Sequence, residues 1–574
     1  MGKKEIKQIP ELTKNNARTH WIYSGLLLLI FFVAYQFIFD SKLDLGGDNG
    51  GYYILGKALS TGHGYTNIHH VGDPSHNHFP PGYPALLAVF MFISDSVIFL
   101  KIMNGLLLAG SSMLLYRIFF KVTENIQLSF VASALMLLNM HLLKYSTIMM
   151  SEVPFLFFGS LTLLLFLYSS QKDDFFKSPS FYGLILVSSF AFHIRTSGIA
   201  LIGGILLYLL IKKKWKFLAT YFAGFVLLGI PWYLRGQSLG GSKYLKQLFL
   251  INPYRPEEGA MGLSDWFTRF GNNLSRYISK EIPHGVFPGV KVNYAPDAIE
   301  AQWFVGIICI ALIIFGLIKL KNYRTFFIGY IAGTFGILLL WPDVWFSVRF
   351  MLPLIPIFLF LVLFAVFEII SLVAEKLNIN KTVSPYLLIV FAFFFVSQLK
   401  ELNESAKKPY LKRFNNYFKM GSWANANLPQ DAVITTRKPN LFYLTAKRKL
   451  TGFKSTAEFN ELLDGLKEKK VTHVILDQLG FSQTGRYLYP VIQGNPEKFQ
   501  GLHTIPNPET YLFKFNYEAG YQGEWKQSQD ANGNLNSVKH GQGVMKDANG
   551  TIYQQGTWNN GNFVQTKVET NDKD

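Results

Sequence analysis

Long apolar runs dominate the chain up to residue 399 and then stop. Beyond that point, apolar positions alternate or recur at helical spacing among polar ones. Eleven runs read as membrane spans: 21–39, 97–120, 126–142, 151–169, 181–193, 197–211, 217–234, 301–319, 325–341, 350–371 and 384–399. About 20 apolar residues cross the hydrocarbon comfortably, and several of these runs are shorter. A further apolar piece, 84–93, reads as a juxtamembrane or partly inserted helix. The pattern therefore predicts a polytopic α-helical membrane protein of about 11 spans. A cytoplasmic N-terminus covers 1–20 and a transmembrane domain 21–400, with outer loops at 40–96 and 235–300.

After residue 400 the periodicity shortens. Residues 411–427 predict a helix with Phe414, Tyr417, Phe418 and Trp423 on one side. Runs 432–436 and 471–476 predict buried strands, with a helix at 456–469 between them and another strand at 511–517. Mixed strands and helices over 401–517 predict a small α/β outer domain. It carries no glycine-rich phosphate loop and no nucleophile constellation, so shaping acceptor access suits it better than catalysis. Residues 518–565 are rich in Gly, Tyr and Trp and predict β-hairpins, and 566–574 form a polar, disordered tail.

Composition agrees with the pattern. Of 574 residues 49% are hydrophobic and 16% charged, against about 25% charged in an ordinary soluble domain. The net charge of +18 would suggest nucleic acid in a soluble chain. Here Lys and Arg flank the spans, as positive-inside topology demands, and nucleic acid is excluded as a partner. With the N-terminus inside, the clusters at Arg117/Lys121, Lys212–Lys214 and Lys319/Lys321/Arg324 all fall on the cytoplasmic face. Asp48, Glu152, Arg195, Arg235 and Arg349 then share the opposite face. The single cysteine, Cys309, rules out an intramolecular disulfide. The basic start and the apolar run 21–39 read as a retained anchor, since no small-residue cleavage site follows.

Candidate chemistry gathers on that opposite face. Asp48 sits in Gly46-Gly47-Asp48-Asn49-Gly50-Gly51-Tyr52-Tyr53 at a membrane boundary, where glycines permit sharp turns and close ligand approach. It suits a general base for an acceptor hydroxyl, or a cap for a helix beginning near Tyr52. Arg195, Arg235 and Arg349 are candidate phosphate binders, because guanidinium holds phosphate oxygens bidentately and stays charged. Arg195 and Arg349 lie between apolar runs, where an unpaired charge is costly; Arg235 ends a span and can also snorkel to the headgroups. His63, His69, His70, His76 and His78 crowd one loop and raise a divalent metal as a candidate, although their spacing is not that of a zinc helix. No cofactor is otherwise indicated, and the metal site, if any, is unassigned.

The ordered set of motifs is recognisable. Asp48-Asn49-Gly50-Gly51-Tyr52-Tyr53, Gly62-His63-Gly64-Tyr65, Pro80-Pro81-Gly82-Tyr83-Pro84, Ser151-Glu152, Arg195-Thr196-Ser197-Gly198 and Arg349-Phe350-Met351-Leu352-Pro353 resemble GT-C glycosyltransferases. The likeness is to the branch with protein O-mannosyltransferases and the aminoarabinose transferase of lipid A, and covers roughly 20–400. It implies a polyprenyl-phosphate sugar donor, a catalytic Asp48 assisted by Glu152, and donor phosphate on Arg195, Arg349 and Arg235. Tyr52, Tyr53, His63, Tyr65, Pro81 and Tyr83 would line the substrate loop. Many members carry a second acid after the Asp; here it is Asn49, which weakens a two-carboxylate metal site.

The tail motifs Tyr521-Gln522-Gly523-Glu524-Trp525, His540-Gly541-Gln542-Gly543-Val544 and Tyr553-Gln554-Gln555-Gly556-Thr557-Trp558 resemble MORN repeats. Together these features predict inverting sugar transfer to a lipid, polysaccharide or protein acceptor at the periplasmic face of a bacterial inner membrane. Membrane lipids and an unidentified acceptor are the partners. A transporter or flippase of a lipid-linked anion is the rival reading. Against it, no repeated span pattern is visible.

Overall fold

The computed structural model describes residues 14–46, 48–172, 174–287, 289–290, 292–293, 302–379, 383–529, 535–547 and 549–564. The first thirteen residues of the expected cytoplasmic segment, and the tail 566–574, lie outside the described residues. The chain divides into two compact units: Met1–Asp44 with His76–Lys408, and Leu45–Ser75 with Pro409–Asp574.

The first unit is helical, and each of the eleven apolar runs falls on a helix. Among the described residues six helices are long and apolar enough to cross a membrane alone: Ala17–Ile38, Val97–Thr123, Glu152–Ser169, Trp215–Ser238, Val348–Lys376 and Pro385–Lys407. The pair Ile126–Leu137 and Met140–Ser146, bent by 60°, makes a seventh if counted as one span. Pro179–Ile194, Thr196–Ile211, Trp303–Lys319 and Arg324–Leu340 are apolar but shorter. Among the described residues, length and composition by themselves thus support six or seven spans and leave the shorter apolar helices open; the chain is a multi-pass membrane protein. The piece 84–93 lies on the ten-residue helix Gly82–Met91.

Every residue from Ile355 to Ala365 is buried, so this helix forms the axis of the core. Gly316 meets it closely: a Cβ there would stand 2.5 Å from the Leu361 carbonyl oxygen. Small residues let membrane helices pack backbone to backbone. The long connection after Ser238 carries short helices over its described part. Its helix Leu263–Arg276 presents Arg269, 3% exposed, to the carbonyls of Leu248 at 2.8 Å and Leu250 at 2.6 Å. One guanidinium thereby replaces the missing backbone partners of an irregular segment.

The second unit contains two sheets. The first has the order β2-β1-β3-β5-β4, from β1 (Val433–Thr435), β2 (Lys449–Thr451), β3 (His473–Leu476), β4 (Phe499–Ile505) and β5 (Thr510–Phe515). Strands β1, β2 and β3 are parallel, and β5 and β4 antiparallel. Leu462, Leu463 and Leu466 of the helix Phe459–Glu468 cover Val433, Val474 and Phe515. The helix Lys412–Asn427, one residue off the expected start, packs on β5 and on the helix Pro439–Ala446. The second sheet is a meander of β6 (Gly520–Gln529), β7 (Leu535–Lys546), β8 (Ile552–Asn559) and β9 (Asn562–Val564). Strands β6 and β7 pair out to Gln529 and Leu535.

Candidate functional site

In the first unit, three sequence-distant elements bring charges together. Glu152 opens the helix Glu152–Ser169, where a carboxylate favours the positive end of the helix dipole. That helix and Pro179–Ile194 form a packed pair of 18 and 16 residues. At about 1.5 Å per residue, the second returns the chain almost to the level of Glu152. There the backbone leaves helical geometry, and Arg195 is extended at φ −144°, ψ 125°. Arg349 comes from the short 3₁₀ segment Val348–Leu354 that leads into the axial helix and packs against Glu152–Ser169.

The Arg195 guanidinium lies 2.7 Å from Glu152 Oε1, and Arg349 Nε 3.7 Å from the same oxygen. Arg195 also donates to Ser151 Oγ at 2.9 Å. The carboxylate side chain is 0% exposed, Arg195 16% and Arg349 27%. One buried negative charge thus faces two partly open positive ones, leaving a net charge of +1. Ser347 steadies the second arginine: its Oγ accepts from the Arg349 backbone N–H at 3.2 Å, and its side chain hydrogen-bonds Tyr145. The Arg349 guanidinium stacks over Phe350 at 4.9 Å.

Arg235 has other partners. Its guanidinium donates to the His76 carbonyl at 2.9 Å and lies 5.0 Å from the Trp232 ring. Tyr83 is fully buried and donates to Asn104 Oδ1 at 3.3 Å, next to Pro81 at the start of Gly82–Met91. It is thus a core residue of this unit.

Asp48, Tyr52, Tyr53, His63 and Tyr65 belong to the second unit. Asp48 is the first residue of the helix Asp48–Ser60, so that helix begins earlier than Tyr52. Tyr52 and Tyr53 are buried in it. The expected glycine-rich turn is helical from Asp48 onward, and Gly50 serves packing. A Cβ on Gly50 would stand 2.8 Å from the Asn440 carbonyl oxygen. His63 is exposed and hydrogen-bonds Thr61 Oγ1 at 2.9 Å. His70 Nδ1 pairs with the Leu450 carbonyl at 2.6 Å, and the Leu450 N–H donates to the His69 carbonyl at 2.6 Å. His69 and His70 therefore border strand β2. Among the described residues no three His, Cys, Asp or Glu side chains converge as metal ligands.

Sequence reasoning missed several buried polar groups. Arg276 Nε lies 2.8 Å from Glu281, which is 0% exposed, while Arg276 Nη1 donates to the Asp343 carbonyl at 2.7 Å. Burial pushes the Glu281 carboxyl above its ordinary value, against the pull of Arg276. This pair braces the segment leading to Ser347 and Arg349. Nothing in the connection's irregular sequence marked it. Lys101, 2% exposed, donates to the carbonyls of Asp40 and Lys42; a lysine inside an apolar run was the available signal.

This architecture is GT-C-like. It is similar to the Archaeoglobus fulgidus oligosaccharyltransferase tethered with an acceptor peptide containing the NVT sequon (TM-score 0.52, 10% identity, covering 91% of this chain and 76% of that one). It is also similar to ArnT from Cupriavidus metallidurans bound to undecaprenyl phosphate (TM-score 0.51, 12% identity, covering 86% and 98%). At these identities the likeness is one of fold. No protein-family model matches the sequence, and no curated protein sequence matches it.

Proposed function

We propose that this chain is a membrane glycosyltransferase that moves a sugar from a polyprenyl-phosphate donor to an acceptor, with inversion. The acceptor, a lipid, polysaccharide or protein, offers a hydroxyl or amine at the periplasmic face of a bacterial inner membrane. The observation that carries the reading is the fully buried Glu152 clamped between Arg195 and Arg349. A buried carboxylate holds both guanidiniums in place, while their partly exposed sides keep a net positive charge for a phosphate. Buried charge of this kind persists where it is paired and used. The undecaprenyl phosphate bound to ArnT supports the donor class.

In the proposed step Asp48 takes the proton from the acceptor, whose oxygen or nitrogen attacks the anomeric carbon. The carbon–oxygen bond to phosphate breaks, and its electron pair leaves with the polyprenyl phosphate, stabilised by Arg195 and Arg349. Glu152 acts as a positioning residue for the arginines, and Arg235 serves the donor from a separate anchorage. The N-terminus is taken as cytoplasmic, with the shorter apolar helices completing eleven crossings. The β6–β9 meander is read as MORN-like. The Tyr521 ring packs on Gly543, leaving no room there for a Cβ, and lies 5.1 Å from the Trp558 ring.

The test uses the purified full chain in nanodiscs with undecaprenyl-phosphate-linked radiolabelled sugars. Release or transfer of the sugar is expected, abolished by Asp48→Asn. Arg349→Ala should raise the donor KM about tenfold, as loss of ground-state phosphate binding requires. Turnover unchanged by Asp48→Asn overturns the assigned base. Translocation of intact donor in proteoliposomes without cleavage selects the flippase reading instead.

A further inference from the structure

A second cationic cluster lies wholly within the second unit, in its five-stranded sheet. Strand β1 lies between β2 and β3, and all three are parallel. The chain leaves β1 through the helix Pro439–Ala446 towards β2 and leaves β3 towards β4 and β5. The connections from β1 and β3 therefore diverge, which makes the carboxyl ends of these two strands a topological switch point. Open α/β sheets bind ligands at this kind of topological switch point.

The residues that follow the two strands carry charge. Arg437 and Lys438 come after β1, and Asp477 directly after β3. Thr435 pairs with Val474, so Lys438 and Asp477 each stand three residues past one paired position. The Phe481 ring meets both cations, 5.1 Å from the Arg437 guanidinium and 4.4 Å from Lys438 Nζ. Arg413 reaches the same loop: its Nη1 lies 3.1 Å from where a Cβ on Gly480 would be. Arg437 and Lys438 thus act electrostatically on the acid, and Arg413 touches the loop that follows it.

That acid is unusual. Asp477 is 4% exposed. Its Oδ1 accepts the Leu479 N–H at 3.1 Å, while its buried Oδ2 has no hydrogen-bond partner among the described residues. Burial raises its carboxyl to about 6, with Arg437 and Lys438 pulling the other way. A buried, incompletely satisfied carboxyl beside clustered cations costs stability, and such groups concentrate at binding sites.

We propose that the switch point between β1 and β3 is a binding site for an acidic sugar, one bearing a phosphate or carboxylate. Arg437, Lys438 and Arg413 hold the acid group, and Asp477 takes a sugar hydroxyl. The helix that carries Asp48 supports a role for this ligand. Gly50 packs on Asn440, two residues from Lys438, and two residues span at most about 7 Å. Taking the ligand as the acceptor rests on the proposed transferase reading; the binding itself does not.

The experiment is calorimetric titration of the full chain, in nanodiscs of neutral phosphatidylcholine, with glucose 6-phosphate, galacturonate and glucose. At least one of the two acidic sugars should bind tenfold or more tightly than glucose, and which one does identifies the acid group. The double variant R437Q/K438Q should lose that preference. Arg437→Lys keeps the charge and should retain most of it, which separates charge recognition from misfolding. Asp48→Asn should bind the acidic sugar as the parent does even where transfer is lost, so failure of the assigned base leaves this site standing. Equal binding of acidic and neutral sugars, or unchanged binding in R437Q/K438Q, would overturn the proposal.

Discussion

Among the described residues three carboxylates are buried, and the two units treat them differently. In the first unit Glu152 and Glu281 each hold a guanidinium, at 2.7 and 2.8 Å. In the second, Asp477 has a backbone N–H and no ion pair within 4 Å among the described residues. The surroundings account for the contrast. Between apolar helices an ionised carboxylate survives only with a direct countercharge. At the carboxyl end of a sheet's central strand it can persist at some cost, relieved by more distant cations. The paired acids fix the position of arginines, whereas the unpaired acid keeps its bonding capacity open. Removing the charge should therefore have opposite consequences in the two units.

The largest effect is expected at Glu152. Glu152→Gln leaves Arg195 and Arg349 without their shared countercharge, and breaking a buried pair typically costs about 3–5 kcal/mol. Thermal unfolding followed by tryptophan fluorescence should shift sharply downward, with donor turnover falling in the folded fraction. A double-mutant cycle with Arg195→Gln should recover part of the loss; strict additivity would show that the two charges are not coupled.

Asp477→Asn should do the reverse. The folded carboxyl stands at about 6, above its ordinary 3.8. The folded state therefore binds the proton more tightly, and this stabilisation, present below about pH 4, is lost as pH rises through 6. Two units correspond to about 3 kcal/mol, so the Asn variant should be more stable than the parent at pH 7.5. The stability difference should vanish near pH 4. A variant less stable at pH 7.5 would mean that the ionised form is held by interactions stronger than its burial.

A smaller effect is expected at Gly50. Gly50→Ala pushes a methyl to 2.8 Å from the Asn440 carbonyl, and overpacking of this kind costs about 1–3 kcal/mol. Limited proteolysis of the second unit should quicken. If the glycine instead serves ligand approach, stability should stay unchanged and only turnover fall. The smallest effect concerns Lys498, whose ammonium burial lowers to about 8 and which donates to the Tyr517 carbonyl at 2.6 Å. The unfolded lysine keeps its proton to higher pH, so stability of the second unit should rise modestly between pH 8 and 10. Lys498→Met should flatten that rise.

The helical membrane architecture was legible because apolar runs of this length have few alternatives: backbone polar groups in hydrocarbon must be satisfied within the helix. The number of crossings was less legible. Helices such as Pro179–Ile194 and Arg324–Leu340 are too short for composition alone to decide. Arg195 and Arg349 were visible as charges between apolar runs, and Ser151-Glu152 as a polar start to a span. Their meeting was not visible, since it depends on the return of a helical hairpin and on a 3₁₀ segment nearly 200 residues away in sequence.

The glycines after Asp48 show the same limit from the other side. Composition marked a place where something must approach closely, and the approaching group proved to be the backbone of Asn440. The pattern of apolar and polar residues by itself determined the helical membrane unit, the α/β character of the following residues and the identity of the candidate charges. Only the tertiary structure decided which charges share a carboxylate, which unit carries Asp48, and which cations gather near Asp477. Periodicity is a local property written along the chain, whereas burial and charge pairing depend on contacts between distant segments that exist only once it has folded.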